Sequence, residues 1–311
     1  MTTLLVSHTS FLDHDTGPHH PESPARLKSV LAGLDESPFA GLIRREARPA
    51  TAAEVALAHP GHYLDHLQAA IPERGLSHLD GDTMVSPGSG EAMTRAAGAI
   101  IQAVDAVAKK EAANAFCAVR PPGHHAESER PMGFCLINNA AVGAFHARAA
   151  HGFARVAVID FDVHHGNGTQ EIFWNDANAF YASTHQYPFY PGTGARRERG
   201  AHNNVVNVPL AAGSGRDVFR AGFSDEILPA LTAFKPDFIV ISAGFDAHRD
   251  DPLGGLALDE NDFAWATAAL MDAAKAACGG RVVSVLEGGY NLDALKGCAI
   301  AHVQTLMSAH T

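Results

Sequence analysis

The chain reads as an α/β protein built on a parallel sheet with helices on both faces. Two observations carry that reading. Short β-branched and aromatic runs alternate with longer helical patterns throughout. The strand candidates are also apolar on both faces, as in a sheet covered on both sides. In chain order they begin with a strand at 4–7 (LLVS), followed by helices at 24–34, 52–67 and 90–110. A strand at 115–119 (AFCAV), a helix at 138–149 and a strand at 156–160 (VAVID) come next. Strands at 179–183 (AFYAS) and 204–208 (NVVNV) lead to a helix at 217–234 and a strand at 238–242 (FIVIS). A helix at 260–277, a strand at 282–286 (VVSVL) and a helix at 292–307 complete the series. No repeat, low-complexity tract or linker marks a boundary, so a single domain over 1–311 is expected.

Composition narrows the function. Apolar residues make up 46% and charged residues 18%, enough to bury a core and too apolar for a disordered chain. With 23 Lys and Arg against 34 Asp and Glu, the formal charge is −11 and there is no basic run. Direct nucleic-acid binding is therefore not expected. No apolar stretch reaches the length of a spanning helix, and the N-terminus lacks the basic start of a signal peptide. A soluble cytoplasmic protein with no membrane partner is the expectation, and nothing in the chain speaks against a homo-oligomer. Cys117, Cys135, Cys278 and Cys298 form no C-x-x-C pair and read as small apolar fillers. The unusual count is 19 His, several of them paired.

In open α/β sheets, ligands bind beyond the carboxyl ends of the strands. Four strands here end in groups that ligate metals or move protons. Strand 115–119 leads into Arg-Pro-Pro-Gly-His124-His125, and strand 156–160 into Asp160-Phe-Asp162-Val-His164-His-Gly-Asn167. Strand 238–242 leads into Ala-Gly-Phe-Asp246, and strand 282–286 into Glu-Gly-Gly-Tyr290-Asn.

Asp162 and His164 are two apart and point to the same side of extended chain. With Asp246 they make a three-ligand set that leaves room for water and substrate, as catalytic zinc sites do. Taken by itself, D-x-D-x-H reads equally as a capped polar strand end; Asp246 and the other loaded ends decide for the metal. His124 and His125 could share the roles of base and acid. Tyr290 could donate to a developing oxyanion, although a tyrosine after Gly-Gly is by itself a turn residue as often. There is no G-x-S-x-G elbow, and the Gly-rich pieces fit no nucleotide fingerprint. An arginase-type dinuclear site would want D-x-H-x-D, so the order found here favours one metal.

The chain resembles the histone deacetylase family, which includes bacterial deacetylases and acetylpolyamine amidohydrolases. The matching segments are HPESPARL at 20–27, RPPGHHA at 120–126, GFCLINNAA at 133–141 and DFDVHHGNGTQ at 160–170. They continue with PGTG at 191–194, SAGFDA at 242–247, DPLGG at 251–255 and EGGYN at 287–291.

The resemblance implies an arginase/deacetylase-type fold with a mostly parallel eight-stranded sheet. It implies one catalytic Zn2+ per chain, held by Asp162, His164 and Asp246, activating a water that attacks an amide carbonyl polarised by Tyr290. It makes His125 the main base and acid, held by Asn167, and His124 an electrostatic partner held by Asp160. Many relatives carry Asp at the Asn167 position, whereas class II-type members carry Asn; a neutral amide should keep His125 more readily neutral. Gly133, Phe134, Tyr190 and Leu253 match the substrate tunnel. Asp160, Asp162, His164, Ser183 and Thr184 match a structural K+ site. Arg26 matches an internal channel residue and reads equally as a first-turn surface arginine. Asp80 and Asp82 lie in a rim loop where relatives often place an acidic substrate anchor; the register does not choose between the two, and a charged solvated loop is the preferred reading.

The function expected is zinc-dependent removal of acetyl groups from N-acetyl-lysine-type amides in a peptide or protein. Deacetylation of small acetylated amines such as acetylpolyamines is the first alternative. Leu253, where a polyamine-preferring relative has Glu, weakens it. A non-catalytic acyl-ligand binding protein is the other, and the intact Tyr290, His pair and ligand set speak against it.

Overall fold

The structure, a computed structural model, describes residues 2–309. Its strands are β1 (Thr3–Ser7), β2 (Ile43–Glu46), β3 (Ser77–His78), β4 (Met84–Val85) and β5 (Asn114–Cys117). Then come β6 (Val156–Asp160), β7 (Ala179–Gln186), β8 (Val205–Leu210), β9 (Phe238–Ala243) and β10 (Val282–Leu286). The α-helices are α1 (Pro24–Leu34), α2 (Ala52–Val55), α3 (Gly61–Ala70), α4 (Ser89–Ala108) and α5 (Asn139–His151). They continue with α6 (Asn167–Phe173), α7 (Arg216–Gly222), α8 (Leu228–Phe234), α9 (Glu260–Cys278) and α10 (Leu292–Ser308).

Eight strands form one sheet in the order β2-β1-β5-β10-β9-β6-β7-β8, and each of its pairings is parallel. Every residue of β5, β6, β7, β9 and β10 is buried, which explains why these strands lack alternation. Helices α4 and α5 pack together on one layer, against β1, β5, β10, β6 and β9. Helices α1, α10, α9 and α8 pack in series on the other. β3 and β4 make a separate antiparallel pair. No helix among the described residues is long and apolar enough to cross a membrane.

Several elements depart from the sequence reading, β3, β4 and α6 among them, since no strand or helix was read over 77–78, 84–85 or 167–173. β2 was not expected, because Ile-Arg-Arg-Glu at the sheet edge is largely exposed and shows no apolar run. The helix read over 52–67 is two helices, α2 and α3. Pro60 caps α3, and its ring removes the N–H a continuous helix needs there. The helix read over 217–234 carries a π turn over Phe223–Ile227 between α7 and α8.

The sheet order brings the chemistry together. The chain leaves β5 on one side of the centre and resumes at β6 on the other; β9 and β10 later fill the space between. The four strands whose ends carry the candidate groups are therefore adjacent: β5, β10, β9, β6. That reversal is where α/β sheets open a crevice.

Candidate active site

Asp162, His164 and Asp246 converge, with one ligand atom from each lying within 4.8 Å of the others. His164 Nδ1 stands 3.2 Å from both Asp162 Oδ1 and Asp246 Oδ2. Backbone amides hold the carboxylates: Val163 N donates to Asp246 Oδ1 at 2.8 Å and Gly288 N to Asp162 Oδ2 at 2.8 Å. Two glycines make the room. A Cβ at Gly244 would lie 2.0 Å from Asp162 Oδ2, and one at Gly288 would lie 2.1 Å from Asp246 Oδ2. Burial, together with the Asp162 charge, pushes the Asp246 carboxyl up to about 7. Burial would lower His164, yet its bonds to the two carboxylates raise it to about 10.

The histidine pair divides. His124 Nδ1 lies 2.9 Å from Asp160 Oδ2, which also accepts from the Tyr181 hydroxyl at 3.1 Å. Burial opposes its charge, but Asp162 and Asp160 outweigh burial and raise it to about 10. His125 Nδ1 lies 2.8 Å from Asn167 Oδ1. Burial, then the charges of His124 and His164, hold His125 well below its ordinary value. The rings sit 4.0 Å apart, so the charge on one disfavours charge on the other.

A cavity of about 370 Å³ is lined by His125, His164 and Tyr290 together with the rings of Phe134, Phe189 and Tyr190. The Phe189 ring stacks on His164 at 5.4 Å, and Tyr190 meets His125 edge-on at 5.2 Å. Gly133 also lines the cavity; a Cβ there would lie 2.5 Å from the His125 ring. Phe134 is held at φ 69°, a left-handed conformation that non-glycine residues adopt at a cost. Leu253 lines the cavity beside Gly254. Burial keeps the Tyr290 hydroxyl protonated by pushing its pKa well up.

Two readings left open by the sequence are narrowed. Arg26 takes the internal place and not the surface one. It is fully buried, donating to Gly289 O at 2.6 Å and Glu287 O at 2.5 Å, with its guanidinium 4.8 Å over the Tyr290 ring. Asp82 is not simply solvated loop, because it lines the cavity and burial raises its pKa. Of the remaining residues, Ser183 Oγ bonds His185 Nδ1 at 2.9 Å, and Thr184 Oγ1 is buried with no hydrogen-bond partner.

Sequence reasoning gave no role to the acids that organise the loops. Glu287 Oε2 accepts from Gly123 N and His124 N at 2.7 and 3.1 Å, fixing the loop that presents the histidines. Asp251 Oδ2 accepts from Tyr290 N at 2.6 Å and Asn291 N at 3.1 Å. Glu22 bridges Arg120 (2.5 and 2.7 Å) and Arg26 (3.0 Å) with all three side chains at 0% exposure. An acid next to Gly-Gly or next to a Pro was the only local signal, and it does not distinguish a loop tether from a surface charge. A further cluster, Asp105 with His146 and His151, lies near the ends of α4 and α5; both Nε2 atoms reach Asp105 Oδ1 at hydrogen-bond lengths of 2.8 and 2.7 Å. Lys109 faces its other oxygen at 3.6 Å.

Three side chains that could hold a metal ion, a histidine pair and a tyrosine come together at adjacent strand ends. Residues 20–306 match the histone deacetylase domain, and the chain belongs to that family. It is 41% identical to the histone deacetylase-like amidohydrolase of Pseudomonas aeruginosa, over 92% of this chain and 76% of that protein. It is 39% identical to a probable deacetylase of Archaeoglobus fulgidus, over 94% and 82%. An uncharacterized Synechocystis protein is 40% identical over 99% of this chain and all of its own length. The fold matches the crystal structure of the HDA15 HD domain with a TM-score of 0.93 at 37% identity, covering 98% of this chain and 88% of that one.

Proposed function

We propose that the chain is a zinc-dependent deacetylase that hydrolyses N-acetyl-lysine-type amides. The observation that carries this is the convergence of Asp162 and Asp246 on His164, which lines one aromatic-walled cavity with His125 and Tyr290. The donor set suits Zn2+: one imidazole, two carboxylates, and glycines at 244 and 288 that leave the space in front of them clear. Bound there, Zn2+ supplies a Lewis acid for the amide carbonyl and acidifies a water.

The protein's own groups do the rest. Asn167 Oδ1 takes the Nδ1–H of His125, which leaves Nε2 bare to accept a proton and later return it to the leaving amine. His124, paired with Asp160, stays charged and acts through its field. The Tyr290 O–H donates to the oxygen that gains charge. Phe134, Phe189 and Tyr190 exclude water along the methylene chain, with Gly133 and Leu253 completing the wall. A structural K+ near Ser183 and Thr184, using carbonyls of Asp160, Asp162 and His164, is supported by the orphaned Thr184 hydroxyl. A second reading, deacetylation of small acetylated polyamines, is favoured by Asp82 in the cavity lining, where a carboxylate attracts a remote cation.

The test is kcat/KM of the zinc-loaded protein on an acetyl-lysine peptide and an acetylated polyamine, with Tyr290→Phe as control. Preference for the peptide, lost in the variant, is expected; preference for the polyamine moves the assignment to the second reading. Failure on both overturns each.

A further inference from the structure

One carboxylate reaches the histidine pair through another side chain. Glu127 lies two residues beyond His125 in the loop between β5 and α5, with its side chain 25% exposed. Its Oε1 accepts from Asn167 Nδ2 at 2.8 Å. Arg130 grips the same carboxylate from the solvent side, Nε to Oε2 at 3.1 Å and Nη2 to Oε1 at 3.0 Å. The Glu127 N–H donates to Arg130 O at 3.0 Å and closes the turn.

A side-chain amide has nearly the same shape whichever way it is turned, so its neighbours decide which end is oxygen. On the Nδ2 side of Asn167 every neighbour is an acceptor: Glu127 Oε1 at 2.8 Å, Met132 Sδ at 3.3 Å and His125 O at 3.5 Å. Turned over, the amide would set its oxygen against all three. Glu127 is the strongest of them, because an ionised carboxylate only accepts. With Nδ2 held there, Oδ1 faces His125 Nδ1 at 2.8 Å, and an amide oxygen cannot donate. The proton of neutral His125 is therefore on Nδ1.

We infer that Glu127 is a positioning residue that sets the tautomer of His125 through the Asn167 amide. The inference rests on the role of His125 as base. It also explains the pairing of residue types: an acceptor at 127 requires a donor at 167, and a carboxylate at 167 would require a donor at 127. Asn167→Asp alone would set two carboxylates against each other where a 2.8 Å hydrogen bond now stands. Glu127→Lys alone would offer only donors, turning the amide so that its NH2 faces His125 and drives the proton to Nε2.

The test is a reciprocal exchange in the zinc-loaded protein, read by ring-nitrogen NMR of 15N-histidine-labelled samples and by kcat and KM on an acyl-lysine substrate. The His125 signals are assigned by their loss in His125→Ala. The parent should show a protonated Nδ1 and a bare Nε2. Glu127→Lys should shift the proton to Nε2 and lower kcat about 10- to 100-fold with little change in KM. Glu127→Gln, which can turn either end of its amide to Asn167, should give a mixture of tautomers. Glu127→Lys combined with Asn167→Asp should restore the Nδ1 proton and most of kcat. An unchanged tautomer in Glu127→Lys, or a double variant no better than the worse single one, overturns the inference. A parent that turns over no acyl amide instead overturns the proposed function, and the tautomer series still decides the role of Glu127.

Discussion

Replacing Gly288 with alanine tests the metal site through space alone. The glycine is not among those with a positive φ, so an alanine meets no left-handed strain there. Its Cβ would nevertheless sit 2.1 Å from Asp246 Oδ2, 2.5 Å from Asp162 Oδ2 and 2.7 Å from Asp246 Cγ. A carbon and an oxygen that are not bonded approach to about 3.3 Å. The nearer carboxylate must therefore retreat by about 1 Å, whereas metal–ligand distances tolerate about 0.2 Å. Disturbing only an outer partner of a ligand costs about 10- to 100-fold in affinity. Displacing two ligating carboxylates is expected to weaken zinc binding by about 100-fold or more, about 3 kcal/mol. The assay is zinc affinity by chelator competition, with circular dichroism reporting the fold. Gly61→Ala is the control, since nothing lies within 4 Å of its Cβ. A Gly288→Ala protein that binds zinc as tightly as the parent would refute the assignment of Asp162 and Asp246 as ligands.

Other expectations rest on the same geometry. Arg120 and Arg26 overcome the burial that would raise the Glu22 carboxyl and hold it near 2 instead of 4.5. A depressed folded pKa stabilises above the unfolded value, so this contribution, about 3 kcal/mol, is complete above pH 4.5 and lost as pH falls towards 2. Glu22→Gln should cost about 3–5 kcal/mol at pH 7, and the gap to the parent in urea melts should narrow below pH 4.5; a constant gap would count against the pairing. His14 and His59, buried and held near 4, add to the acid loss between pH 6.5 and 4, so thermal melts should already fall across that window. Tyr290→Phe should lower kcat about 10²- to 10³-fold with KM nearly unchanged; an equal rise in KM would mean the hydroxyl serves binding. Leu253→Glu places a carboxylate in the cavity wall and should shift kcat/KM towards acetylpolyamines, most at low salt.

The chemistry was more legible than its supports. Four loaded strand ends could be read directly, because strands buried on both faces leave unbroken apolar runs, and the polar residues at the end of each run stand out. That β5, β10, β9 and β6 are neighbours could not be read, since strand order is set by long-range pairing. The acids that hold the loops escaped for a different reason. Glu287, Asp251 and Glu127 bond backbone amides or side chains 39 to 164 residues away in sequence, and no local pattern encodes such partners. Arg26 could be read either as internal or as a first-turn surface residue, because the partners that bury it, Glu287, Gly289 and Tyr290, lie 261 or more residues away in sequence.

The edge strand β2 has a bearing on how the molecule behaves in a crowded solution. A sheet of parallel strands ends in a row of unpaired amides and carbonyls onto which a stray chain can add. Here that row is guarded by Arg44, ion-paired to Asp35 at 2.9 Å, and by Arg45, paired to Glu111 at 3.1 Å. The two arginines are consecutive, so both faces of this largely exposed edge carry a charge, and charge on an edge strand disfavours the addition of another strand. The charges that made β2 hard to recognise therefore serve to keep the sheet from growing beyond its own molecule.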